Sequence, residues 1–312
     1  MTDTRQYILQ TLAYFDIFQY PLTREEIVIF HGEDCRQTVI ADALQSLVDD
    51  KIVFDLDQFY SLYNDRDLAS RRRLGNALAA EQMKTAHRAA KILSGFPYVK
   101  GLAISGSLSK NYSTKKTDID FFIVTSANRL WIARTLMHLY KKFTFITGRQ
   151  HWFCMNYYVD EAGLEIEEKN IYTAIEIVTL LPMHGAMSLE KFMLANVWTK
   201  KYLPVYPKST GEMPEAKKGL FARLIERLFN GRMGEWLDNK LMRITDKRWQ
   251  KKVIHNKKND KGFNIGMKVN KHFSKPDPAF FQDKILQLYA EKIKALPKFE
   301  TLASIQDQVS SN

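Results

Sequence analysis

Two apolar runs separated by a short polar loop constrain this chain more than any other feature of it. Gly101 to Ile104 is apolar and breaks at Ser105-Gly106-Ser107. With ten residues intervening after Ser107, a second run opens with Asp118-Ile119-Asp120 and continues as Phe121-Phe122-Ile123-Val124. Such runs, bounded by polar residues, predict two buried strands around a loop. Side chains alternate along a strand, so residues two apart share a face at a spacing of ~7 Å. Asp118 and Asp120 therefore present two carboxylates on one face, while Ile119 and Phe121 enter a core. Two like charges so close repel each other, and a cation between them removes the repulsion. Magnesium suits the pair, because it takes oxygen ligands and keeps water or phosphate oxygens in its other positions. Gly106 and Ser107 complement it: glycine lets backbone come close to a ligand, and N–H groups with a hydroxyl at a turn hold phosphate oxygens.

The order apolar strand, Gly-Ser, ten residues, Asp-x-Asp, apolar strand resembles the signature of the DNA polymerase beta-like nucleotidyltransferase superfamily. The resemblance covers Tyr98 to about Pro182. Lys110 stands where that family often has a basic residue, and Thr117 where Ser or Thr usually precedes the Asp-x-Asp. Asn111 replaces a common glycine, and asparagine tolerates a left-handed backbone. The resemblance implies a nucleotidyltransferase moving a nucleoside monophosphate from a nucleoside triphosphate to a hydroxyl acceptor. Asp118 and Asp120 would be catalytic and bind two magnesium ions, Gly106 and Ser107 would hold the beta and gamma phosphates, and Lys110 would neutralise the leaving pyrophosphate.

The family generally carries a third carboxylate on a neighbouring strand. His151 to Val159 alternates as a half-exposed strand, with Cys154, Asn156 and Tyr158 on one face and Phe153, Met155, Tyr157 and Val159 on the other. Its centre holds Asn156 in place of an acid. Asp160 to Gly163 predicts a tight turn and Leu164 to Glu167 a returning strand. With a four-residue loop Glu167 falls opposite Asn156, which makes Glu167 the candidate third catalytic acid, with Glu165 and Asp160 behind it. The same acids also suit the solvent face of an edge hairpin. Two further readings stay open: a nucleotide-binding regulatory protein of the same fold without chemistry, and an antitoxin-like partner of a toxin.

The expected fold class is α+β: an N-terminal winged helix, a central mixed nucleotidyltransferase sheet flanked by helices, and a C-terminal helical region. Residues 1–65 carry the winged-helix pattern. An amphipathic helix covers Thr4 to Phe15, Thr23 to Glu26 is a capping box, a third helix spans about Arg36 to Asp49, and a hairpin follows around Asp55 to Gln58. The third helix offers Arg36 but also Asp42, Asp49 and Asp50, which favours a protein partner over duplex DNA. Residues 66–96 form a linking helix whose Arg71-Arg72-Arg73 suits either a phosphate clamp or a solvated face.

Residues 97–185 are expected to form the nucleotidyltransferase domain, with a helix from Asn128 to Phe143 and another from Asn170 to Leu181 stopped by Pro182. Residues 186–312 are expected to be helical, with helices at Ser188 to Trp198, Leu220 to Leu228, Met233 to Ile244 and Pro278 to Leu296. Asn196 and Trp198 suit either a base pocket or a buried helix end. A lysine-rich stretch from Lys247 to Lys275 suits either a polyanion contact or a solvated loop.

The 312 residues carry a formal charge of +11, which admits nucleic acid and triphosphates as company. No run of eighteen apolar residues and no signal-peptide layout is present, so a cytoplasmic protein without a membrane partner is expected. Cys35 and Cys154 stand alone, which excludes a disulfide framework and a cysteine zinc site.

Overall fold

The computed structural model describes residues 2–146, 148–205, 218–255, 266–276 and 281–297. Thr23 and Glu26 form the expected capping box: the Thr23 hydroxyl accepts the Glu26 N–H at 3.2 Å and the Glu26 carboxylate accepts the Thr23 N–H at 2.9 Å. That box opens α2 (Arg24–Ile29), between α1 (Thr2–Asp16) and α3 (Gln37–Asp49). Two short strands, β1 (Phe54–Asp55) and β2 (Tyr60–Ser61), close the N-terminal unit as an antiparallel hairpin. Ile8, Leu12, Ile27, Ile40 and Leu47 are buried together at its centre.

Asp65 accepts the N–H of Asp67 and starts α4 (Arg66–Ser94). The three arginines near its start are spent on the N-terminal unit. Arg72 is 2% exposed; it donates to the Pro21 carbonyl at 2.7 Å and to Asn76 at 2.9 Å, pairs with Glu26, and lies 3.7 Å over the Tyr20 ring. Arg71 reaches Gln19 and Arg73 reaches Asp57. Arg71 and Arg73 are exposed, as a solvated face requires, whereas Arg72 is not: a guanidinium removed from water needs this many acceptors, which leaves it free for no phosphate.

The chain is a mixed α+β protein. Its six-stranded sheet runs in the order β6-β3-β4-β5-β8-β7, with β3 at Val99–Ile104, β4 at Asp120–Thr125, β5 at Cys154–Asp160, β6 at Leu181–His184, β7 at Met267–Val269 and β8 at Phe273–Pro276. β4 and β5 are parallel and joined through α5 (Leu130–Thr144); the other neighbouring pairs are antiparallel. Alanines 79, 86, 89 and 90 of α4 and Trp131 and Met137 of α5 cover one face. Leu189 and Phe192 of α7 (Ala186–Ala195) cover the other, against Ala103, Phe122 and Val124.

Four departures from the sequence reading have identifiable causes. The helix expected to reach Leu181 ends earlier, as α6 (Ile171–Val178), and Pro182 sits in β6. That strand is at the sheet edge, where a missing N–H is tolerated. Leu164 to Glu167 does not return as a strand. The Asn196 side chain accepts the Ile166 N–H and donates to the Leu164 carbonyl, both at 2.8 Å, and β8 takes the place beside β5. Asn196 is thereby committed to structure, fully buried, with the Trp198 indole donating to it at 3.1 Å.

The third departure is a register shift opposite Phe121/Phe122 that reverses the face alternation in β5. Tyr158 joins Phe153 and Met155, while Tyr157 and Val159 face the α7 side. A bulge inserts one residue and so exchanges the faces beyond it. The fourth is that the C-terminal region is not wholly helical, because β7 and β8 return to the sheet.

That region begins with α8 (Leu220–Leu228), continues as α9 (Arg232–Ile254), which extends past the expected end at Ile244, and closes with α10 (Phe281–Ala295). Lys247, Arg248, Lys251 and Lys252 therefore lie on a helix. Lys275 and Lys268 pair with Glu168, and Lys271 with Glu235; Lys257, Lys258 and Lys261 lie outside the described residues, as do most of the linker after Pro204 and the tail from Thr301.

α5 lacks a side-chain cap of its own, and α9 supplies one. Asp238, 1% exposed, accepts the N–H of Ile132 at 2.8 Å, while its Oδ2 is buried without a hydrogen-bond partner among the described residues. Burial pushes this carboxyl up from 3.8 to about 6, against the N–H groups of Ile132 and Trp131. The folded state therefore binds a proton between those values that the unfolded chain does not, so this group lowers stability as pH rises through that window. A gap of about two pH units corresponds to about 3 kcal/mol. Denaturant midpoints at pH 4.5 and 7 are expected to show that Asp238→Asn gains relative to wild type at the higher pH. An equal difference at both values would remove Asp238 as the cause.

Candidate functional site

Gly106 turns the chain at the end of β3 with φ +70°, and a Cβ built on it would lie 2.6 Å from Asp120 Oδ2. An L side chain there would be strained in conformation and would have to displace the Asp120 carboxylate. A short 3-10 helix, Leu108–Lys110, follows and stops at Asn111, whose left-handed backbone, φ 55° and ψ 38°, is the one asparagine tolerates. The Ser107 carbonyl accepts the N–H groups of Lys110 and Tyr112, and its half-buried hydroxyl makes no hydrogen bond among the described residues.

Asp120 opens β4, and Asp118 lies two residues before it. The Ile119 N–H donates to the His151 carbonyl and the Cys154 N–H to the Ile119 carbonyl, so the parallel pairing extends past the Asp-x-Asp. This sets Cys154 opposite Asp120 and brings the His151 ring to Asp118, with Nδ1 donating to Oδ1 at 2.6 Å. Both carboxylates are half-buried, and Ile119 and Phe121 are buried beneath them as the alternation requires.

Lys110 lies at the same turn. Its ammonium donates to Glu176 at 2.8 Å and to the Gly106 carbonyl at 3.2 Å. Glu176 comes from α6, one turn after Tyr172. Burial raises the Tyr172 hydroxyl pKa first, and the negative charges of Glu176 and Asp120 add to it, which puts that hydroxyl within electrostatic reach of the carboxylates. The thiol of Cys154 is likewise pushed up, by burial first and then by Asp120, so it stays a neutral donor. The Tyr20 hydroxyl, from the N-terminal unit, donates to the Lys110 carbonyl.

Gly106, Ser107 and Lys110 share one turn, Gly106 lies against Asp120, and Asp118 stands two residues before it beside His151. The other acids do not join them. Glu167 is exposed in the loop after β5, and the strand that was to carry it opposite Asn156 is absent. Glu165 pairs with Lys169 in the same loop. Asp160 is fully buried and accepts N–H groups from Asn128 and Ala162 and the ring of His272, which commits it to holding loops. Asn156 is the residue skipped at the register shift, and the residue opposite Asp120 is Cys154.

Sequence reasoning missed His151, Tyr172 and Glu176. The four-residue spacing of Tyr172 and Glu176 on a short helix was the available signal. Among the described residues, no group of three or more His, Cys, Asp or Glu side chains is arranged to hold a metal ion. The donors that suit magnesium are the two carboxylates, with the Ser107 turn beside them.

Comparison with known proteins gives no match to a family, to a curated protein or to a solved structure.

Proposed function

We propose that the chain is a nucleotidyltransferase that moves a nucleoside monophosphate from a nucleoside triphosphate to a hydroxyl acceptor, on a nucleotidyltransferase sheet with a winged-helix unit at its N-terminus. The observation that carries this reading is the fit of Gly106 beneath Asp120, where a side chain would strike the carboxylate. A phosphate-holding turn beside a cation site requires that close approach. Asp118 and Asp120 suit one magnesium ion whose remaining positions go to water and phosphate oxygens. The ion, when bound, would supply positive charge against the charge that develops on the alpha phosphate. For the expected second ion, the position beside Asp120 on β5 holds Cys154 in place of a carboxylate.

The chain's own groups take the other parts. Ser107 and the N–H groups of its turn hold the beta and gamma phosphates. Lys110, once it leaves Glu176, meets the charge of the departing pyrophosphate. His151 is a positioning residue that fixes the Asp118 carboxylate through Nδ1–H. No role falls to Glu167. A cytoplasmic location, where triphosphates and magnesium are plentiful, belongs to the same reading.

Cys154 also favours a second reading: a nucleotide-binding regulatory or antitoxin-like protein that keeps the site without transfer, and passes occupancy to a partner through the N-terminal unit. Titration with each nucleoside triphosphate and magnesium, following binding and pyrophosphate release together, separates the two. Metal-dependent binding with release is expected in wild type. Cys154→Asp, which restores a third carboxylate, is expected to raise release about tenfold or more. Binding without release in both proteins would favour the second reading, and absence of binding would defeat both.

A further inference from the structure

α8 is strongly two-sided, but the apolar side with the larger residues faces outward. Ala222 is buried, and Ile225 and Phe229 pack against Tyr98 and Ile132. The Tyr98 hydroxyl donates to the Ile225 carbonyl at 3.2 Å, and Arg129 donates to the carbonyls of Phe229 and Gly231, so the helix and the turn after it are firmly seated. On the other side Leu220 is 85% exposed, Phe221 64%, Leu224 55% and Leu228 53%, and at the start of α9 Met233 is 55% and Trp236 60% exposed.

Helical spacing puts 220, 224 and 228 on one stripe, with Arg223 and Arg227 along its margin. On α9 the stripe of Met233 and Trp236 continues through Lys240, Arg243, Lys247 and Lys251, while Glu235 and Asp246 fall on other sides of the helix. The Lys240 ammonium lies 4.7 Å from the Trp236 ring centre. α8 and α9 both turn their inner sides to the cluster around Tyr98, so both stripes face away from the core.

We propose that this surface docks on an anionic membrane, with α8 and the first turns of α9 lying along the interface. Leucine, phenylalanine and methionine offer nothing to phosphates or base edges, so a nucleic acid would leave most of the surface unused. A lipid surface uses both parts: the acyl boundary takes the apolar stripe, and the headgroups take the arginines and lysines beside it. The chain's charge of +11 adds to the attraction. Among the described residues no helix is long and apolar enough to cross a membrane, so contact is peripheral. This departs from the expectation of no membrane partner, and it does not depend on chemistry at Asp118 and Asp120.

Co-sedimentation of the full-length protein with vesicles of phosphatidylcholine alone, or with added phosphatidylglycerol, tests it. Binding to the anionic vesicles is expected to be at least about tenfold tighter and to weaken with added salt. Leu224→Ser/Leu228→Ser is expected to lower that binding about tenfold with an unchanged circular dichroism spectrum, and Phe221→Ser serves as an independent variant. A blue shift of tryptophan emission on vesicles is expected to shrink in Trp236→Phe. Lack of sedimentation, or binding that these variants do not alter, overturns the proposal. So does a wild-type dimer that Leu224→Ser/Leu228→Ser converts to monomer, since a second copy would then cover the stripe.

Discussion

Asp120→Asn is expected to lower pyrophosphate release about a thousandfold, or about 4 kcal/mol in the barrier, while leaving the fold intact. The substitution keeps the shape of a side chain that sits against Gly106 and opposite Cys154. What it removes is one of the two negative charges on which a cation at this edge depends. It also removes the repulsion between Asp118 and Asp120, so without magnesium the melting temperature is expected to hold or rise slightly. Magnesium with triphosphate stabilises whatever form it binds, so the rise in melting temperature seen with wild type is expected to disappear in the variant. Turnover that survives the substitution would remove Asp120 from the chemistry. Loss of turnover with a lowered melting temperature in the absence of ligand would mean a folding defect instead.

The second large effect is at Arg72. Replacement by alanine is expected to destabilise the protein by about 3 kcal/mol, because it leaves Glu26 and the Pro21 carbonyl without the guanidinium that satisfies them. Lysine is not expected to rescue it. A single ammonium cannot reach the Pro21 carbonyl, Asn76 and Glu26 in the plane set by the guanidinium, nor stack on Tyr20 as it does. The denaturant midpoint measures this, and a loss below about 1 kcal/mol for Arg72→Ala would show that the pairing contributes little net stability. Because Tyr20 also donates to the Lys110 carbonyl, turnover is expected to fall alongside stability.

The parts of the molecule legible in the sequence are those set by neighbours along the chain. Thr23 and Glu26 announce their capping box, Asn111 its left-handed turn, and Gly106 with Asp118 and Asp120 a turn against a strand edge. Each rests on contacts within about fifteen residues, where spacing alone decides who meets whom. The third-acid question failed because its answer is a pairing. That Cys154 faces Asp120 depends on the register of two strands joined through a helix, and whether Glu167 sits on a strand depends on Asn196 and on a segment more than a hundred residues later. Pro182 reads locally as a helix stop and is in fact an edge-strand residue. The burial of Arg72 was hidden for the same reason: a basic run looks solvated until its acceptors arrive from elsewhere.

The position of β8 has a consequence for synthesis. β5 ends at Asp160 and its outer partner begins at Phe273, with β7 beyond it closing that side of the sheet. A ribosome adding roughly 5 to 20 residues per second needs about 6 to 23 s to deliver the missing ribbon. During that interval the N-terminal helices and three central strands can already assemble, yet β5 presents unpaired backbone groups along its open flank. Nascent chains on the same message meet one another in that state, and an unprotected strand is a template for pairing between molecules. The last quarter of the chain therefore acts as a seal, and a product terminated shortly after the linker keeps the carboxylate edge but carries a sticky flank into solution.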